Sequence, residues 1–80
     1  MTQLEARAIA MAYELHRVLG EICELPEHGA GTRAEQAWDL MDDVISYLDS
    51  DAPDDDQGIR DPNVARDRLI ELHKKHHLRG

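Results

Sequence analysis

The chain has 80 residues, with 17 acidic and nine basic side chains and a formal net charge of −8 at pH 7. This length predicts a single domain, residues 1–80. Because so short a chain buries only about 60% of its unfolded surface, it needs well-packed helices, a metal or a partner subunit for stability. Cys23 is the single cysteine, which excludes an internal disulfide and is typical of a reducing cytoplasm.

The first predicted helix covers about residues 3–25 and begins with a capping box, Thr2-x-x-Glu5. A long apolar stripe at heptad spacing is expected to face the core or a partner helix; it comprises Leu4, Ala8, Met11, Leu15, Val18, Ile22 and Leu25. A second stripe is expected to widen this face; it comprises Ile9, Ala12, His16, Leu19 and Cys23. Gly20 is assigned to the polar side. Charged residues interrupt the apolar run, so we expect neither a signal peptide nor a membrane span.

Two further helices are predicted, over about residues 33–48 and 62–77. A second capping box, Thr32-x-x-Glu35, begins helix two, and Asp61-Pro62 supplies the N-cap and first turn of helix three. Trp38 is expected to be the largest core side chain. The remaining predicted buried positions are Ala34, Ala37, Met41, Val44, Ile45 and Leu48 on helix two, and Val64, Ala65, Leu69, Ile70 and Leu72 on helix three. The fold class is therefore all-α, a three-helix bundle built on an antiparallel hairpin, with an acidic loop before the last helix.

The negative charge is concentrated in one stretch of the chain. Residues 39–61 contain nine acids and one base, Arg60, whereas the rest of the chain contains eight acids and eight bases. A calcium loop of the EF-hand type would need acidic residues in a fixed register around Gly58, and Pro53, Gln57 and Val64 occupy required positions. Three readings are left open for this loop: a solvated linker, an acidic docking surface, and an irregular calcium site formed by Asp49, Asp51, Asp54 and Asp56.

Other candidate sites are weaker. His73, His76 and His77 share one side of helix three, in a basic tail expected to complement the helix dipole and not to bind metal. His16 and Cys23 lie about 10 Å apart along helix one, too far to share an ion, and are expected to be packed side chains. The GAGTR turn lacks the lysine of a phosphate loop. No cofactor, metal or catalytic residue is predicted, so an enzyme is not expected.

The charge distribution predicts a small binding or inhibitor protein that occupies a basic, possibly nucleic-acid-binding, surface of a protein partner. Phage-encoded anti-defence inhibitors, antitoxins and immunity proteins act in this way. No direct nucleic-acid or membrane contact is expected, because the charge is negative. The predicted contact residues are Asp39, Asp42, Asp43, Tyr47, Asp49, Asp51, Asp54, Asp55 and Asp56.

Two alternative functions remain open. The long stripe on helix one predicts a homodimeric structural or adaptor module, with that helix as the seam. A small-ligand-binding or metal-binding helical protein, using the histidine tail or the GAGTR turn, is the weaker of the two.

Overall fold

The computed structural model describes residues 2–26, 32–52 and 59–77, which form an all-α three-helix bundle. Helix α1 spans Gln3–Cys23, α2 spans Arg33–Leu48 and α3 spans Pro62–His76. The predicted fold class and the three predicted helices are confirmed. Helix α1 contacts both other helices, so it is the central element of the bundle.

Each helix begins at the residue that its sequence signal predicts. Thr2 and Glu5 form the complete capping box, with Thr2 Oγ1 accepting from the Glu5 N–H at 3.1 Å. Thr32 Oγ1 accepts from the Glu35 N–H at 3.2 Å in the same way. Asp61 accepts from the Asn63 N–H at 2.9 Å, and Pro62 follows it in the first turn of α3. These contacts satisfy backbone N–H groups that have no partner inside the helix.

The face of α1 that packs against the bundle differs from the predicted one. Its buried residues are Ala6, Ile9, Ala10, Ala12, Tyr13 and His16. Most of the heptad stripe that was expected to face the core is exposed, including Leu4, Met11, Leu15 and Val18. The buried side carries three alanines, which let helix backbones approach closely, and two polar side chains whose partners lie on other elements. The prediction of the core-facing stripe was therefore wrong, and the second stripe is the buried one.

The core is built from few residues of the other two helices. Ile45 on α2 and Leu69 and Leu72 on α3 are buried, and Ile59 packs with them just before α3. Val44 and Leu48 on α2 and Ile70 on α3, which were predicted to be buried, are exposed. Helices as short as these present a narrow buried stripe, so the apolar residues flanking it remain in contact with solvent.

Gly20 lies at the contact between α1 and α2, not on a polar side of α1 as predicted. A Cβ at this position would lie 3.2 Å from Nε1 of Trp38, a closer contact than most Cβ atoms make, so the glycine eases the close packing of the indole ring on α1. Trp38 itself is half-buried, and Tyr13 is the largest fully buried side chain. The prediction that Trp38 dominates the core is corrected accordingly.

Candidate functional site

Asp49, one of the predicted contact residues, is buried at the centre of an ion-pair cluster. Its Oδ2 accepts from Tyr13 Oη at 2.9 Å and from Arg68 Nε at 2.8 Å, and its Oδ1 accepts from Arg68 Nη2 at 2.7 Å. Arg68 therefore binds both carboxylate oxygens, in the two-point geometry that makes such pairs strong. Because Asp49 is only 1% exposed, it is removed from the predicted contact surface and is a structural residue.

The cluster shifts the pKa values of its members in the directions that its geometry requires. Burial raises the pKa of the Tyr13 hydroxyl, and the Asp49 carboxylate that accepts its hydrogen bond raises it further. Burial also acts to raise the pKa of Asp49, but hydrogen bonds from Arg68 and Tyr13 outweigh burial and hold it below its usual range. The Asp49 hydrogen bond raises the pKa of Arg68. The native cluster therefore consists of a carboxylate, a guanidinium and a neutral phenol.

We expect this cluster to make the fold sensitive to acid. Because the folded-state pKa of Asp49 lies below its unfolded value of about 3.9, its contribution is fully present above about pH 4 and is lost as the pH falls through the folded pKa. Urea unfolding between about pH 6 and pH 2 measures the loss. The Asp49→Asn variant should be less stable at pH 6 and should lose less stability on acidification than the wild type. Equal losses in the two proteins would contradict this role for Asp49.

A second cluster joins α1, α2 and the residues just before α3. The Arg60 guanidinium lies 4.3 Å from the centre of the Trp38 ring and binds two carboxylates, with Nε 2.6 Å from Asp42 Oδ2 and Nη2 2.7 Å from Asp39 Oδ1. On the other side, His16 Nε2 lies 2.5 Å from Asp42 Oδ1, and its ring contacts the Trp38 ring. Asp42 therefore holds two helices and a loop together, which limits its part in any partner contact.

The other predicted contact residues differ in how accessible they are. Asp43 is exposed and has no ion pair with the residues that the structure describes, and Tyr47, one turn later, is 94% exposed. Asp51 is exposed, with one carboxylate oxygen 3.8 Å from Arg68 Nη2. Asp39 is exposed but paired with Arg60. The predicted contacts Asp54, Asp55 and Asp56 lie outside the described residues.

The pairing partners Arg60, Arg68 and Tyr13 were not identified from the sequence. One signal was available for Tyr13, which lies four residues after Ile9 and three before His16, on the side of α1 that carries the second stripe. Arg60 and Arg68 carry no comparable signal, because a local pattern does not show which distant carboxylate an arginine meets.

The described histidines do not form a metal centre. Among the described residues, no group of three His, Cys, Asp or Glu side chains is placed to hold a metal ion. His16 is a packed side chain, as expected, and Cys23 is half-buried. His73, Lys74, Lys75 and His76 occupy the last turn of α3, where positive charge is favoured by the helix dipole. Of the GAGTR turn, only Thr32 and Arg33 are described, and they begin α2.

Among the described residues, the accessible part of the predicted site is an acidic edge of α2, which we define as Asp39, Asp43 and Tyr47, continued by Asp51.

No helix within the described ranges is long and apolar enough to cross a membrane. Comparison with protein-family models, with curated proteins and with solved structures gave no match to this chain.

Proposed function

We propose that this protein is a binding protein, not an enzyme, which docks its acidic edge on a basic surface of a protein partner. The observation that carries the proposal is the pair formed by Asp43 and Tyr47. They lie four residues apart on one side of α2, Asp43 has no ion pair within the described part of the chain, and Tyr47 is 94% exposed.

The chemistry of this pair suits a protein partner. Tyrosine is enriched among the residues that contribute most to protein–protein affinity, because it buries a large ring and keeps a hydroxyl for hydrogen bonding. A carboxylate beside it selects a lysine or arginine on the partner and speeds association. Carboxylates that replace phosphates in a nucleic-acid-binding surface would make the protein an inhibitor, as antitoxins, immunity proteins and phage anti-defence proteins are. A reducing cytoplasm is the compartment that we propose for it.

Charge reversal at Asp43 tests this function against a matched control. Asp67, on α3, is also an exposed aspartate without an ion pair to any described residue, so Asp43→Lys and Asp67→Lys change the net charge equally. Immobilised wild-type chain should capture its partner from a lysate of the native host at about 0.1 M salt and release it as screening increases. Asp43→Lys should weaken capture at least about tenfold, about 1.4 kcal/mol, and Asp67→Lys should leave it unchanged.

Two outcomes would contradict the proposal. If both variants weaken capture equally, net charge and not the acidic edge governs binding. If neither variant weakens it, the acidic edge makes no contact with the partner. Tyr47→Ala supplies an independent check, because removal of an anchoring ring should cost about 2 kcal/mol or more of binding free energy without changing the charge.

A further inference from the structure

Three residues in the first half of α2 surround a guanidinium group. Trp38, Asp39 and Asp42 lie within about one turn of each other and share one side of the helix. The Arg60 side chain occupies the space between them, with Cζ 4.3 Å from the centre of the Trp38 ring, Nε 2.6 Å from Asp42 Oδ2 and Nη2 2.7 Å from Asp39 Oδ1. We define Trp38, Asp39 and Asp42 as the guanidinium site.

The chemistry of the guanidinium site suits arginine better than lysine. Two different nitrogens of Arg60 donate to two different carboxylates, while the carbon that joins them lies over an aromatic ring. A lysine ammonium has a single nitrogen and is more strongly hydrated, so it cannot contact all three partners in this way. The group already bound in the site therefore shows which ligand chemistry the site accepts.

Residues of α1 hold the guanidinium site in place, and their contacts do not involve Arg60. His16 is 3% exposed, and its Nε2 lies 2.5 Å from Asp42 Oδ1, which leaves Asp42 Oδ2 for the guanidinium. The His16 ring also lies 5.5 Å from the Trp38 ring between centres, and Gly20 packs against the edge of the indole. A site whose side chains are already ordered binds a ligand at a lower entropic cost.

Arg60 is held less firmly than Arg68, the other arginine that joins the two ends of the acidic segment to the bundle. The Arg60 side chain is 38% exposed, whereas the Arg68 side chain is 8% exposed and its partner Asp49 is fully buried. Exposed ion pairs contribute little net free energy, so another guanidinium can displace Arg60. The neighbouring Ile59 is buried in the core, and the pair of Arg68 with Asp49 is separate from the site, so this displacement does not release α3.

The guanidinium site borders the acidic edge. Asp39 belongs to both, and Asp43 lies one turn further along the same side of α2. A basic side chain that docks beside Asp43 therefore lies within reach of the guanidinium site, where Arg60 already neutralises Asp39.

We propose that an arginine of the protein partner enters the guanidinium site in place of Arg60, which is therefore a built-in competitor of the partner. This inference rests on the proposed function and extends it. It specifies which basic residue the acidic edge recognises, and it identifies an autoinhibitory contact that opposes binding.

A small arginine compound tests the guanidinium site without the partner. In the Arg60→Ala protein the site is empty, and Trp38, the only tryptophan of the chain, reports its occupancy by fluorescence. N-acetylarginine methylamide should give a saturable change at millimolar concentration, as expected for one cation–π contact and two charge-assisted hydrogen bonds in water. At equal ionic strength, N-acetyllysine methylamide should bind at least about fivefold more weakly. The wild type should also bind the arginine compound at least about fivefold more weakly than Arg60→Ala, because Arg60 competes for the site.

Two double variants check that the response comes from the guanidinium site. Asp39→Ala added to Arg60→Ala removes one acceptor and should weaken binding of the arginine compound at least about fivefold. Asp67→Ala makes the same change at an exposed aspartate of α3 and should leave binding unchanged. The absence of a saturable response, or equal binding of the arginine and lysine compounds, would overturn the inference.

Circular dichroism checks that the variant used is folded. If Arg60→Ala loses the helical spectrum of the wild type, Arg60→Gln takes its place, because it keeps a long polar side chain and lacks the guanidinium. Loss of the helical spectrum in both variants would show that Arg60 is required for the fold and cannot be displaced, which also overturns the inference.

Capture of the partner separates this inference from the proposed function. Arg60→Ala removes the competitor, so it should strengthen capture at least about threefold at about 0.1 M salt. Unchanged or weaker capture would overturn the role of Arg60 as a competitor. Loss of the arginine response while capture still depends on Asp43 overturns this inference alone. Capture that does not depend on Asp43 contradicts the proposed function, whatever the titration shows.

Discussion

Arg68→Ala is expected to destabilise the fold by about 3–5 kcal/mol, because it leaves the buried carboxylate of Asp49 without its ion-pair partner. The Asp49 side chain is fully buried and accepts two hydrogen bonds from Arg68, at 2.7 and 2.8 Å. A domain of this size has a total stability of about 4–12 kcal/mol. The Arg68→Ala protein should therefore lose a large part of its stability, and urea unfolding followed by circular dichroism measures the loss.

Two controls separate loss of the ion pair from loss of an arginine. Arg66→Ala, on the same helix but at an exposed position, should change stability by less than about 0.5 kcal/mol. The combined change Tyr13→Phe, Asp49→Leu and Arg68→Met removes every polar member of the cluster and should recover most of the lost stability. An Arg68→Ala protein as stable as the Arg66→Ala protein would show that the cluster contributes little.

Ile45→Ala is expected to destabilise the fold by about 2–5 kcal/mol, because Ile45 is fully buried and its truncation leaves a cavity. Ile45 is the one residue of α2 that is buried among the described positions of that helix, so α2 docks on the core through few side chains. The loss should appear as a lower urea midpoint with an unchanged slope, which indicates a change of stability and not of the exposed surface.

Ile70→Ala provides the comparison for this substitution. It removes the same atoms from a helix and gives the same gain in helix propensity, but Ile70 is 45% exposed. Its cost should be below about 1 kcal/mol. Similar costs at the two positions would mean that Ile45 is not packed as the structure places it.

The bounds of the helices were predictable because local contacts determine them. Thr2, Thr32 and Asp61 each cap a helix through a hydrogen bond to a backbone N–H two or three residues later, and no distant residue is needed. Pro62 has no backbone N–H and a backbone angle suited to a first helical turn. Such local signals predict where a helix begins without any knowledge of the tertiary structure.

The candidate site was predicted only in part, because composition does not distinguish an acidic residue that is paired from one that is free. Asp43 and Asp49 are six residues apart and look alike in the sequence. Asp43 is exposed, whereas Asp49 is buried against Arg68 and Tyr13. Asp42 lies beside Asp43 and binds His16 and Arg60. Each of these pairings joins residues from different parts of the chain.

The sequence by itself determined that this protein is all-α, where its three helices begin and that its negative charge lies in one stretch. The tertiary structure alone decided which side of α1 is buried. Both apolar stripes of α1 have helical spacing, so periodicity could not rank them. The choice depended on the close approach at Gly20 and on partners for His16 and Tyr13, which other elements supply. The same choice left most of the heptad stripe exposed, including Leu4, Met11, Leu15 and Val18.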